Sequence, residues 1–294
     1  MLRRTFLRDG TLILGTLPLI GGGSEGATVA VNDSNKEGSP RLRIGLVTDL
    51  HYADKDPGGT RFYRESIAKF EECIRKFNDE KLDLTIELGD FVDAAEEVET
   101  EIGYLETIDK IYSKFSGDRH YVLGNHCVWT LTKEQFRDHS GARATHYSFD
   151  RNGVHIVILD ACYRADGVPY GNRNYEWTDT EIPALEREWL EEDLSKTDLP
   201  TITFTHQRID VSNNFGIKSG PEVRKILEDS GKVLAVFQGH NHINEHKEIG
   251  GIHYVTLAAL IEGSGKQNNA YSILDVYPDR LEVSGFRNQV DYSL

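Results

Sequence analysis

Five short clusters of histidine, aspartate and asparagine recur along the chain, each directly after a β-rich run. Leu42–Thr48 leads into Asp49-Leu50-His51, and Leu84–Leu88 into Gly89-Asp90-Phe91-Val92-Asp93. His120–Leu123 leads into Gly124-Asn125-His126, Thr201–Thr205 into His206, and Val233–Phe237 into Gly239-His240-Asn241-His242. Singly each cluster is weak, because Asp-x-His is common and a lone His at a strand end is usually a hydrogen-bonded core residue. Together they offer seven nitrogen and oxygen donors: Asp49, His51, Asp90, Asn125, His206, His240 and His242. Carboxylate, imidazole and amide donors in that mixture suit hard or borderline divalent cations. Holding two such cations about 3.5–4 Å apart requires one carboxylate that bridges them. Two cations so held neutralise phosphate oxygens and lower the pKa of a shared water, which is the chemistry of hydrolysis at phosphorus.

The elements that must position these clusters alternate along the chain. Further β-rich runs are Val154–Leu159, His253–Ala259, Tyr271–Tyr277 and Arg280–Phe286. Phe62, Ile67, Phe70, Ile74 and Phe77 fall on one helical face. A second helical pattern spans Thr180 to Leu194, with Ile182, Leu185, Trp189 and Leu190 as its apolar stripe, and a third runs from Pro221 to Asp229. Strand and helix alternate in the first half, which predicts parallel strands there. The last two runs flank Pro278-Asp279 and predict an antiparallel hairpin. The chemistry-bearing residues then sit at the carboxyl ends of strands, the usual site edge of an α/β sheet. Glycines in the clusters allow the sharp turns that bring side chains to one point.

Among the 294 residues, 33 are Lys or Arg and 48 are Asp or Glu, a net charge of −15. That balance argues against a nucleic-acid partner, which needs a basic surface. It leaves a phosphorylated small molecule open, since bound cations reverse the local sign. Three cysteines, Cys73, Cys127 and Cys162, do not make a disulfide scaffold. No apolar run reaches the roughly 18 residues of a membrane span. Residues 1–30 read as an export signal: Arg3-Arg4-Thr5-Phe6-Leu7-Arg8, then a largely apolar stretch from Thr11 to Ile20. The paired arginines resemble the twin-arginine type, which implies passage through export machinery and a periplasmic or extracellular location. Residues 31–40 are polar and turn-rich and read as a linker, leaving 41–294 as a single catalytic domain.

The order Asp-x-His, Gly-Asp-x-x-Asp, Gly-Asn-His, His, Gly-His-x-His resembles the calcineurin-like metallophosphoesterase superfamily over residues 43 to about 260. The resemblance implies an α/β fold, a β-sandwich flanked by helices. It implies that Asp49, His51, Asp90 and His242 hold one metal, that Asp90 bridges, and that Asn125, His206 and His240 complete the second. It makes His126 the catalytic acid or phosphate-oxygen donor. His51-Tyr52-Ala53-Asp54-Lys55-Asp56, Arg61-Phe62-Tyr63-Arg64-Glu65-Ser66, Gly251–Leu257 and Val276–Gly285 look like the manganese-dependent ADP-ribose/CDP-alcohol diphosphatases. That likeness implies cleavage of nucleoside diphosphate-X phosphoanhydrides with two divalent ions, Mn2+ first, Zn2+ or Fe2+ as alternatives. A broad-specificity phosphomonoesterase that scavenges phosphate, and a metal-binding module without activity, are the competing readings.

Departures from the pattern carry their own expectations. Gly-Asn-His is followed by Cys127 where a carboxylate is usual, so His126 is expected to be a weak acid–base partner unless another carboxylate replaces it. Cys127 itself reads as a small buried residue rather than a nucleophile. Ala94-Ala95 replaces the Arg-Gly of Ser/Thr protein phosphatases, and Asp93 stands where purple acid phosphatases carry a ligating Tyr. Arg61 and Arg64 are candidates to grip a second phosphate, with Arg173, Arg208 and Lys218 behind them. Tyr52, Tyr63 and Tyr175 could stack a base, and the acidic run Glu96, Glu97, Glu99, Glu101 reads as a solvated helix face.

Overall fold

A computed structural model of the protein describes residues 6–8, 11–13 and 38–294. The export signal and the linker expected over 1–40 lie almost wholly outside these residues. Within the first 39 residues, Phe6–Arg8 (β1) pairs antiparallel with Thr11–Ile13 (β2). The unit from Pro40 onward carries the remaining elements. In order they are β3 (Leu42–Val47), α1 (Ser66–Asp79), β4 (Leu84–Glu87), α2 (Val98–Tyr112), β5 (Asp118–Tyr121), α3 (Lys133–Asp138), β6 (Tyr147–Arg151) and β7 (Val154–Ile158). There follow α4 (Ala184–Lys196), β8 (Thr201–Phe204), α5 (Gly220–Ser230), β9 (Val233–Gln238), β10 (Glu245–Ile249), β11 (Ile252–Thr256), β12 (Ala270–Val276), β13 (Leu281–Arg287) and β14 (Tyr292–Ser293).

Alternate residues of the central strands serve different apolar layers, as the two-residue period of a strand requires. Ile156 and Ile158 of β7 join Ile202 and Phe204 of β8, Leu42, Ile44 and Leu46 of β3, and Leu84 and Ile86 of β4 in one core between two sheets. Val157 and Leu159 face the other way, onto Leu190, Leu194, Val223 and Leu227 from α4 and α5. On the far side, Phe70, Ile74 and Phe77 of α1 and Ile108 and Tyr112 of α2 pack over the second sheet. The layers are therefore helices, sheet, sheet, helices: an α/β sandwich flanked by helices. The sheet orders are β10-β11-β9-β8-β7-β6 and β14-β13-β12-β3-β4-β5. β3, β4 and β5 are parallel, as are β7, β8, β9 and β11, while β12 and β13 form the antiparallel hairpin around Pro278-Asp279.

The sequence expectations needed three adjustments. The third strand lies at Asp118–Tyr121 rather than 120–123, because Val122 and Leu123 already belong to the loop that carries Asn125. Leu185 is 79% exposed, since α4 starts only at Ala184 and turns Leu190 and Leu194 inward instead. Glu101 of α2 is buried, its carboxylate accepting from the Ala95 amide at 2.8 Å, so the acidic run is solvated only in part.

Lys69 of α1 shows how the helix layer reaches the site. Its ammonium is buried and donates to the carbonyls of Leu260, Glu262 and Gly263 at 2.8, 2.9 and 2.7 Å. Those residues form the loop after β11, whose Glu262 carboxylate lies 2.7 Å from the candidate ligand His242. Lys69→Met leaves three carbonyls unpaired, a loss of about 3 kcal/mol. The expected fall in Tm is roughly 6–12 °C, read by circular dichroism on thermal unfolding.

Candidate metal centre

The five loops converge because their backbones continue to pair after the strands stop. Leu88 N donates to Val47 O, Asp49 N to Gly89 O at 3.0 Å, His51 N to Asp90 O at 2.7 Å and Tyr52 N to Phe91 O at 3.2 Å. From the other sheet, Gly239 N donates to His206 O, and His240 N reaches the Asp49 carboxylate at 3.1 Å. Leu260 and Ile261 donate to the carbonyls of Thr48 and Asp49. Close approach explains two glycines. A Cβ at Gly124 would meet Asp90 N at 2.1 Å, and one at Gly239 would meet Thr48 Oγ1 at 2.2 Å. Asp49, His51, Asp90, His240 and His242 all have positive φ, between 44° and 70°. Non-glycine residues held there store strain and cluster at functional sites.

Two sets of candidate ligands result, each with its atoms mutually within 4.8 Å: Asp49, His51 and His242, and Asp90, His206 and His240; a third such set joins His51 to Asp93 and His126. In the first, His242 Nε2 lies 3.2 Å from Asp49 Oδ1 and 3.2 Å from His51 Nε2. Asp90 Oδ2 lies 3.1 Å from His206 Nε2 and 3.5 Å from His51 Nε2, so one carboxylate oxygen addresses both sets. Asp49 Oδ1, Asn125 Oδ1, His206 Nε2 and His240 Nε2 are buried without a hydrogen-bond partner among the described residues. Buried lone pairs of this kind demand a partner. Convergent, orphaned N and O atoms fit a pair of divalent cations.

The surroundings aim the donors. His242 Nδ1 lies 2.7 Å from Glu262 Oε1, and His206 Nδ1 lies 2.8 Å from the Leu88 carbonyl, which leaves each Nε2 facing inward. Burial opposes the His242 imidazolium, yet Asp49 and Glu262 outweigh it and push its pKa up to about 9. His206 is raised too, burial again being overcome by Asp90 and Asp49. Burial takes His51 down to about 4 and His240 to about 3, helped by the neighbouring imidazoles His126 and His206. Against burial, the surrounding histidines hold Asp90 far below the usual carboxylate range.

His126 lies outside the two ligand sets and belongs to the third, with its ring 4.5 Å from that of His51. Its Nδ1 is 2.8 Å from Asp93 Oδ1. Asp93 is thus the replacement carboxylate, the exception the sequence left open, and His126 is not weakened: Asp90 and Asp93 raise its pKa in spite of burial. Cys127 is fully buried, accepts from the Phe91 amide at 3.2 Å, and has its thiol pKa pushed well up by burial. That is the environment of a packing residue, not of a thiolate.

The cations divide. Arg61 sits close enough to His126, His242 and Glu262 to act on the charge of each. Arg64 does not join it; its guanidinium is ion-paired to Asp54 and Asp56 at 2.5 and 2.7 Å. Arg208 is buried against Asp210 and Glu245, Arg173 donates to the carbonyls of Ala95 and Glu96, and Lys218 is paired with Asp179. Tyr52 and Tyr175 are buried and present no open face, the hydroxyl of Tyr175 being bonded to the Asn125 carbonyl. Tyr63 lies under the Lys55 ammonium, 4.1 Å away. Two residues at the centre were not singled out from sequence: Glu262, and Lys55, whose Nζ is 3.0 Å from Asp93 Oδ2. The Lys55 signal was available, four residues after His51; Glu262 has none, being 20 residues from the histidine it orients.

A helix-flanked double sheet that gathers carboxylates and imidazoles at its strand ends defines a metal-dependent phosphoester hydrolase. The chain belongs to the calcineurin-like phosphoesterase family, which it matches over residues 42–244. It is 23% identical to a manganese-dependent ADP-ribose/CDP-alcohol diphosphatase of Arabidopsis thaliana, over 84% of this chain and 94% of that one. It is 22% identical to the protein of the same name from Xenopus laevis, over 86% and 90%. A dimetal phosphatase from Danio rerio superposes with a TM-score of 0.76 at 18% identity, covering 87% of this chain and 99% of that one.

Two outcomes test this geometry. A metal must displace the proton that His242 holds up to about pH 9, so Mn2+ affinity should rise by up to about tenfold per pH unit from 7 to 9 and then flatten. Glu262→Gln should move that plateau to lower pH. Isothermal titration in buffers of different ionisation enthalpy counts the protons released. Asp93→Asn should lower kcat on the order of 10²-fold, while Cys127→Ser keeps both turnover and metal content.

Proposed function

We propose that the protein hydrolyses the phosphoanhydride of nucleoside diphosphate-X compounds at a two-metal centre. The observation that carries the two-metal part is Asp90, whose Oδ2 addresses His206 and His51 at 3.1 and 3.5 Å. Likeness to the two diphosphatases over more than four-fifths of the chain supports the substrate class. Asp49, His51 and His242 would hold one divalent ion, Asn125, His206 and His240 the other, with Asp90 between them. Mn2+ is the ion favoured by the named relatives. When bound, the ions neutralise the phosphoryl oxygens and lower the pKa of the attacking water.

The chain's own residues supply the rest. His126, oriented by Asp93, donates a proton or a hydrogen bond to the oxygen on which charge develops. Arg61 adds positive charge on the His126–His242 side, where a second phosphate would lie. In an anhydride the leaving group is a phosphate, which needs little protonation, so His126 serves mainly as a hydrogen-bond donor to the developing charge. The paired arginines at positions 3 and 4 and the apolar stretch behind them support an exported enzyme, delivered by twin-arginine machinery to the periplasm or beyond.

Protein reconstituted with Mn2+ should hydrolyse ADP-ribose and CDP-choline with a kcat/KM at least about tenfold above that for p-nitrophenyl phosphate. Asp90→Asn should abolish all three activities, on the order of 10³-fold or about 4 kcal/mol. Preference for p-nitrophenyl phosphate would keep the metal centre and replace the diphosphatase assignment with a phosphomonoesterase.

A further inference from the structure

Trp177 is a large apolar side chain left 40% exposed, and it stands at the metal centre. Its ring is 5.7 Å from that of His240, one of the candidate ligands, and 5.5 Å from Phe215. Phe215 is itself 5.7 Å from His240, so the two aromatics form a wall against one side of that imidazole. The wall is built from two separate loops, one before α4 and one between β8 and α5. These loops are fastened to each other: Lys218 N donates to Thr180 O at 3.0 Å, and the Lys218 ammonium is paired with Asp179. Phe215 is fixed further by its amide, which donates to Asn213 Oδ1 at 3.0 Å, and by its carbonyl, which accepts from Arg208 N at 3.1 Å.

A second flank of the centre is cationic. Arg61 is bridged through its backbone to Glu262, whose carboxylate lies 2.7 Å from His242, and the Lys55 ammonium lies 3.0 Å from Asp93. One flank thus offers flat π-faces and the other positive charge. Simple desolvation of a metal ligand would not call for an exposed indole, since exposed aromatic surface costs hydration without a partner. A planar, uncharged ring covalently joined to a diphosphate matches both flanks at once.

We propose that Trp177 and Phe215 are a stacking subsite for the base of the substrate. The nucleoside then lies on the His240 side and the distal phosphate on the Lys55–Arg61 side. This assignment rests on the diphosphatase reading above. It identifies the specificity-determining residues as the two aromatics rather than any tyrosine of the chain.

The test compares ADP-ribose and CDP-choline with P1,P2-diethyl diphosphate, an anhydride without a base, in wild type and in the Trp177→Leu/Phe215→Leu variant. Selectivity for the base-containing substrates should fall on the order of 10- to 100-fold, carried by KM. Trp177→Phe should restore most of it. If the aromatics merely pack on His240, all substrates lose equally, the ratio stands still, and the proposal is overturned. A binding readout accompanies the kinetics: AMP should quench tryptophan fluorescence in wild type, ribose 5-phosphate should not, and the quench should vanish in Trp177→Phe. Wild type that cleaves no diphosphate yet shows this AMP quench would sink the diphosphatase reading and sustain the stacking subsite. Diphosphate cleavage with an unchanged ratio and no Trp177-dependent quench would do the reverse.

Discussion

Two buried carboxylates and four buried or nearly buried imidazoles crowd their donor and acceptor atoms together, and the described residues satisfy them only in part. His51 Nε2 faces His242 Nε2 at 3.2 Å, and four further N and O atoms have no hydrogen-bond partner among the described residues. Leaving such groups unpaired in a low-dielectric interior costs several kcal/mol in all. Protons can relieve part of this cost, which is why His206 and His242 bind them more tightly than usual. Divalent cations relieve more, because each accepts several lone pairs at once. The arrangement is therefore tolerable mainly as a receptor for positive charge, and the fold must hold it together when that charge is absent.

The sandwich does so through backbone rather than side chains. Five candidate ligands sit in left-handed backbone conformations that cost roughly 1–3 kcal/mol each. Their amides and carbonyls stay paired across loops from both sheets, so the strain cannot relax by one loop shifting alone. Lys69 ties α1 to the loop of Glu262, and Glu262 in turn aims His242. Helix packing on the outer face of one sheet is thereby connected, through a single ammonium, to the orientation of a ligand in the loop after the other.

The clusters were legible in sequence because each ligand lies within a few residues of a strand end, and strand ends are easy to see. The parallel strands of the first half follow from the alternation of strand and helix, whereas the double sheet was implied only by the family resemblance. Side chains brought in from a distance were not legible. Asp93 stands out in the sequence only as an unusual residue at its position, because its pairing with His126 depends on two loops meeting. Arg64 and Arg208 read as free cations until their partners appeared: Asp54 and Asp56 for the first, Asp210 and Glu245 for the second. β6 and β10 were missed because they are edge strands, polar on their exposed sides, and carry too weak an apolar alternation. The Trp177 loop has no periodic pattern at all.

The chain's charge of −15 sets a condition on its substrate. A polyanion approaching an acidic protein is repelled at long range, and only local structure can reverse that. Arg61 and Lys55 are too few to do so alone, and Lys55 already shares its charge with Asp93. The reversal must come from cations in the centre, which add charge where Asp49 and Asp90 have been held ionised against burial. Binding of substrate is then conditional on binding of metal. A neutral attraction that does not depend on the metals, such as an aromatic face at the rim, becomes the natural means by which one phosphorylated substrate is told from another.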